Sequence, residues 1–145
     1  MNKLLASAVL LLLFSGCRGD GAESSESGSH KFELSPGELR DFSRKASAGD
    51  VLSARKLGDH YLFARSDVER GLRWYRIAAS RGDVQSMHSL FLILRSGGDS
   101  GSCEEARKWL VMATTTSDDP DFVSDNFLRR EIESIVRGGS VCSEQ

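Results

Sequence analysis

The chain lacks a charge excess of either sign. Its 145 residues carry 19 Lys and Arg against 21 Asp and Glu, a net charge of −2. Without a basic surplus to neutralise a phosphate backbone, nucleic acid is excluded as a partner. A membrane-spanning run is also missing. The apolar stretch Leu4 to Phe14 has 11 residues, where a spanning helix needs about 20. No G-x-S-x-G elbow and no P-loop are present, so the common hydrolytic and phosphoryl-transfer signatures are absent. The three cysteines form no C-x-x-C and have no histidine beside them, which leaves neither a redox pair nor a zinc site. Of the three histidines, His30 falls in a polar segment, and His60 and His88 fall at non-equivalent places of two helical segments. They read as surface or seam side chains. No cofactor, no metal and no enzymatic activity are expected.

What is present begins with a leader. Lys3, the apolar run and the small residues Ser15 and Gly16 before Cys17 have the layout of a secretory signal. Leu13-Phe14-Ser15-Gly16-Cys17 resembles the lipobox of bacterial lipoproteins, with Phe14 where that family usually has Leu. The resemblance implies removal of residues 1–16 and acylation of Cys17 on its thiol and its new amino group. Arg18, where the enterobacterial pattern uses Asp for inner-membrane retention, implies an outer-membrane anchor with the domain facing the periplasm. Several acyl chains exceed the two signals that stable anchoring requires. Residues 17–34, rich in Gly, Ser, Asp and Glu up to about His30, are expected to be the lipidated cysteine and a flexible tether. In an oxidising compartment the remaining pair, Cys103 and Cys142, is expected to form a disulfide. One lies at the start of a predicted helix and the other just past the end of the next, so antiparallel packing brings them together.

A line of residues appears twice. Gly49-Asp50-Val51, Leu57-Gly58, Tyr61, Trp74-Tyr75 and Ala78-Ala79 are followed by Gly82-Asp83-Val84, Leu90, Leu94, Trp109-Leu110 and Ala113. Asp50 and Asp83 are 33 apart, and Trp74 and Trp109 are 35 apart. That period predicts an all-α fold, a short α-solenoid of about two helix-turn-helix repeats. Residues 35–49 are expected to be an N-terminal capping helix, opened by the capping box Ser35-Pro36-Gly37-Glu38 and closed at Gly49. The repeats occupy 50–114, with helices expected over about 51–63, 68–80, 84–95 and 103–114. The last helix before the turn at 115–120 is expected to be capped by Ser102 with Glu105. Residues 115–145 are expected to be a C-terminal capping helix, about 121–137, and a disulfide-tied tail.

Ala54-x-x-Leu57-Gly58-x-x-Tyr61, then Gly71-Leu72-Arg73-Trp74-Tyr75-Arg76-Ile77-Ala78-Ala79-Ser80-Arg81-Gly82-Asp83, resembles the Sel1-like repeat, a relative of the tetratricopeptide repeat. Met87-x-x-Leu90 and Glu105-Ala106-Arg107-Lys108-Trp109-Leu110-Val111-Met112-Ala113 carry a second copy. The G-x-G loop usual between the helices is replaced by Phe63-Ala64-Arg65-Ser66, and Phe91 and Leu94 stand where Gly58 and Tyr61 do in the first copy. The resemblance implies a protein partner: an envelope component bound by an adaptor, or a secreted phospholipase-type toxin of type VI secretion neutralised by an immunity protein. First helices of such repeats line the concave side, which makes Arg55, Asp59, His60, His88, Ser89 and Leu92 the candidate groove. Leu62, Phe63 and Ile93 are candidates for an adjoining apolar patch.

Overall fold

The computed structural model describes residues 28–140 and 142. The leader, Cys17 and the first part of the tether lie outside the described residues. The described residues form seven α-helices and no strand: α1 (Pro36–Ser47), α2 (Val51–Asp59), α3 (Val68–Ala79), α4 (Val84–Leu94), α5 (Ser100–Thr116), α6 (Pro120–Ser124) and α7 (Asn126–Val136). None of them is long and apolar enough to cross a membrane. From α1 to α5 each helix packs on the next, and α7 packs on α5.

Local chemistry sets most of these boundaries. The Ser35 side chain accepts from the Glu38 amide at 3.3 Å, and the Glu38 carboxylate accepts from the Ser35 amide at 2.8 Å, which satisfies amide donors left open at the start of α1. Asp50 caps α2 and Asp83 caps α4, each accepting from the amide three residues on, at 2.6 and 2.9 Å. The helices before them end alike. Gly49 (φ 104°) and Gly82 (φ 94°) adopt the left-handed conformation. Their amides and those of the following aspartates return to carbonyls of the last turn, which only a residue without Cβ permits cheaply.

The buried positions repeat with the sequence. Ser53, Ala54, Leu57 and Gly58 of α2 are buried, and so are Ser86, Met87, Leu90 and Phe91 of α4. Gly71, Tyr75 and Ala78 of α3 correspond to Ala106, Leu110 and Ala113 of α5, also buried. Volumes are exchanged between copies. A Cβ on Gly58 would lie 2.6 Å from the Tyr75 ring, so the first copy places its ring on α3 and leaves room on α2. The second places Phe91 on α4 and the smaller Leu110 on α5. Side chains then tie the helices together. Glu105 accepts from the Arg76 guanidinium through two bonds of 2.7 Å and from the Trp109 indole at 3.0 Å. Arg95 lies between the rings of Phe91 and Phe127 and pairs with Glu131 at 3.0 Å, linking α4 to α7. Cys103 and Cys142 are joined by a disulfide, their Cα atoms 5.7 Å apart.

Four expectations are corrected. The tether does not run to residue 34 as free chain: Gly28–Phe32 forms a 3-10 turn, and the segment lies against residues His60–Ala64, just beyond α2. The helix expected over 51–63 is α-helical only to Asp59. His60–Ala64 is a π turn, closed by the Arg65 amide on the His60 carbonyl at 3.1 Å. A Cβ on Gly71 would lie only 3.1 Å from Leu62 Cβ, so α3 packs tightly on this widened turn. Helix α5 begins at Ser100 rather than Cys103, because Asp99, a strong cap, accepts from the Ser102 amide at 2.9 Å. Glu105 is thereby released from capping to pair with Arg76. The final helix is broken at Asp125, whose side chain takes the Phe127 and Leu128 amides at 2.8 and 3.1 Å. An aspartate that bonds backbone donors in this way competes with a continuing helix.

Two stability outcomes follow. Gly58→Ala is expected to lower the thermal midpoint, because overpacking of ~1–3 kcal/mol outweighs ~1 kcal/mol of helix propensity against a ring that is pinned at its hydroxyl. Gly37→Ala, with nothing closer than the Ser35 hydroxyl at 3.9 Å, is expected to leave the midpoint unchanged or raise it. Equal effects of the two in thermal melts would refute the close approach. Reducing the disulfide releases a constraint across 39 residues and is expected to cost roughly 4 kcal/mol. Urea titrations with and without reductant measure this, and coincident midpoints would count against it.

Candidate protein-binding face

Helical periodicity decides what α2 and α4 present. Opposite the buried stripe of α2 stand Leu52 and Lys56, exposed, with Arg55 and Asp59 half-buried beside them. Opposite the buried stripe of α4 stand Gln85 and Leu92, exposed, flanked by half-buried His88 and Ser89. Leu52 is 50% exposed, Leu92 42%, and Phe63, in the π turn beyond α2, 47%. These three are apolar side chains left in water on or just beyond the first helix of each copy.

Tyr75 of α3 reaches α2 from behind. Its ring is buried, 1% exposed, and a buried phenol must place its hydroxyl on a partner. The hydroxyl donates to Asp59 Oδ1 at 2.7 Å. Burial first, and the Asp59 carboxylate second, push the phenol far above its ordinary pKa, so it remains a donor. Arg55 Nε lies 3.6 Å from Asp83 Oδ2. The same carboxylate oxygen accepts from the Ser86 amide and hydroxyl at 2.9 and 2.6 Å. The middle of α2 is thus tied to the cap of α4 through Arg55, and its last residue, Asp59, to Tyr75 of α3.

The six candidate residues separate. Arg55 is held by Asp83 and Asp59 by Tyr75, and Leu92 is exposed on the same side of α4 as Ser89. His88 is turned toward α6, with its ring 5.5 Å from that of Phe122 and 6.4 Å from that of Phe91. His60 is not part of the face at all. It is 1% exposed, and the N-terminal segment covers it. The Leu34 amide donates to its Nδ1 at 3.1 Å, with the Phe32 carbonyl 3.2 Å from the same nitrogen. The neighbouring pair Phe32–Phe63 has ring centroids 4.8 Å apart, and Arg65 pairs with Glu33 at 3.1 Å. His60 keeps helical backbone angles, and about 100° round the helix from Asp59 it falls beside buried Ser53 and Leu57, as its counterpart Ile93 does on α4. Of the three apolar candidates, Phe63 is exposed, but Leu62 and Ile93 pack against the core.

Sequence reasoning missed Tyr75 as a polar anchor, treating it as seam area. Its need for a hydroxyl partner was the available signal. Leu52, Lys56 and Gln85 were also missed, although each lies at helical spacing from a candidate that was named. Among the described residues, no group of three His, Cys, Asp or Glu converges to hold a metal ion. Comparison with family models, curated proteins and solved structures finds no match to this chain.

One pH dependence is built into this region. Burial lowers the pKa of His88 below the ordinary imidazole value, with Asp125 opposing. The folded state therefore binds this proton less readily than the unfolded chain. Its contribution to stability is complete above the ordinary value of about 6.5 and declines as pH falls through it. Thermal melts between about pH 7.5 and pH 5 are expected to show a smaller loss of midpoint in His88→Phe than in the parent. Parallel curves would remove His88 as the cause.

Proposed function

We propose that this chain is a lipid-anchored, Sel1-like repeat protein of the bacterial envelope, a short α-solenoid with capping helices that binds a partner protein as an adaptor. The observation that carries this reading is the duplicated hairpin. Caps, left-handed glycines and buried positions recur from α2–α3 to α4–α5 with the sequence period. Units of this kind stack side by side and leave the first helix of each unit facing a common surface. That surface carries Leu52 and Leu92 exposed, together with Asp59, which the Tyr75 hydroxyl holds. Apolar anchors beside oriented polar groups suit docking to a protein. The leader ending at Cys17 supplies the anchor in this proposal and places the domain in the periplasm at the outer membrane.

The test uses the full chain in a bacterial host. Labelled palmitate is expected to enter the parent protein and not Cys17→Ser. Affinity capture from the solubilised envelope is expected to yield a discrete complex with the parent. Leu92→Glu, whose side chain is already in water, is expected to lose that complex with an unchanged melting temperature. Capture of one secreted lipase in place of resident envelope proteins would replace the adaptor role with toxin neutralisation. Undiminished capture by Leu92→Glu would rule out this face.

A further inference from the structure

Most acidic side chains of these helices have an evident local task. Asp50, Asp83 and Asp125 cap helices, while Glu69, Glu105 and Glu131 sit in ion pairs. Asp59 does neither. It is the last residue of α2, just before the π turn. Among the described residues it has no cation within ion-pair distance, and its bond is the one from the Tyr75 hydroxyl. Arg55, one turn earlier, is the natural intrahelical partner, but its guanidinium is directed to Asp83. Lys56 is drawn the other way, with its ammonium 5.0 Å from the centre of the Phe42 ring on α1. Both nearby cations are therefore turned aside, and a half-buried carboxylate is held in a set orientation on the face that also exposes Leu52 and Leu92.

We infer that Asp59 is the receptor for a cationic side chain, a lysine or arginine, of a partner segment whose flanking apolar residues cover Leu52 and Leu92. This inference rests on the protein-binding reading and specifies the chemistry of the partner. Tyr75 is a positioning residue: it fixes one carboxylate oxygen and leaves the other for the incoming ammonium or guanidinium. A carboxylate already oriented loses little freedom on binding, and a charged pair at the edge of an apolar contact strengthens as water is excluded. The attraction is also salt-sensitive.

A phage-displayed random-peptide library, selected on the immobilised full chain, tests it. Enriched peptides are expected to carry one Lys or Arg between apolar residues, and selection on Asp59→Asn is expected to lose that preference. A representative peptide is expected to bind Asp59→Asn about tenfold more weakly than the parent, the scale of a charged hydrogen bond. Replacing its Lys by norleucine is expected to weaken binding to the parent by a similar factor and to have no further effect on Asp59→Asn. Tyr75→Phe, checked for unchanged helix content, is expected to fall between the two. Peptides enriched without a cation, or bound equally by Asp59→Asn, would overturn the inference while leaving the protein-binding reading intact. Failure to enrich any peptide whose binding depends on Leu92 would overturn both.

Discussion

The contact on which the rest depends is the seating of the Tyr75 ring against Gly58. With no Cβ at Gly58, the ring occupies the space a side chain would fill, at 2.6 Å from the position such a Cβ would take. This sets how closely α2 and α3 approach. It also delivers the phenol hydroxyl to Asp59, so one side chain both packs the hairpin and orients a carboxylate of its outer face. A larger residue at 58 would disturb both at once.

The second hairpin solves the same packing problem with the volumes reversed. Phe91 stands at the place of Gly58 and Leu110 at the place of Tyr75, and both are buried in one cluster. The exchange keeps a well-filled core but removes the phenol, so the second copy has no equivalent of the Tyr75–Asp59 bond. Polar organisation of the face is therefore concentrated between α2 and α4. Arg76, Glu105 and Trp109 hold α3 to α5 on the other side, and Arg81 donates to the Ala46 carbonyl at 3.1 Å, closing the end of α1 from the turn before α4.

The two ends of the domain are finished differently. At the N-terminus, residues 28–34 lie over His60 and the π turn, held by a backbone bond to the imidazole, a ring pair and an ion pair. At the C-terminus, α7 is fastened by Arg95 between two rings and by the disulfide to the first turn of α5. Both ends cover apolar edges of the helical core.

Much of the helical layout was legible in the sequence because its signals act within a few residues. Asp50, Asp67 and Asp83 cap the helices that follow them, and Gly49 and Gly82 end the ones before. Apolar spacing marked Leu57, Leu90 and Leu110 as buried. Errors arose where two local signals competed, as at Asp99 against Ser102, or where an aspartate inside a helical pattern captured its own backbone, as at Asp125. The candidate face was half legible. The repeat resemblance put Arg55, Asp59, Ser89 and Leu92 on the outer sides of their helices, and their half-buried or exposed positions agree. It could not reveal that His60 turns inward beneath a segment 26 residues away, or that Asp59 is held by a tyrosine 16 residues on. Those outcomes belong to the tertiary structure, because they depend on a covering N-terminal segment and a ring-to-glycine contact that exist only once distant parts of the chain are packed together.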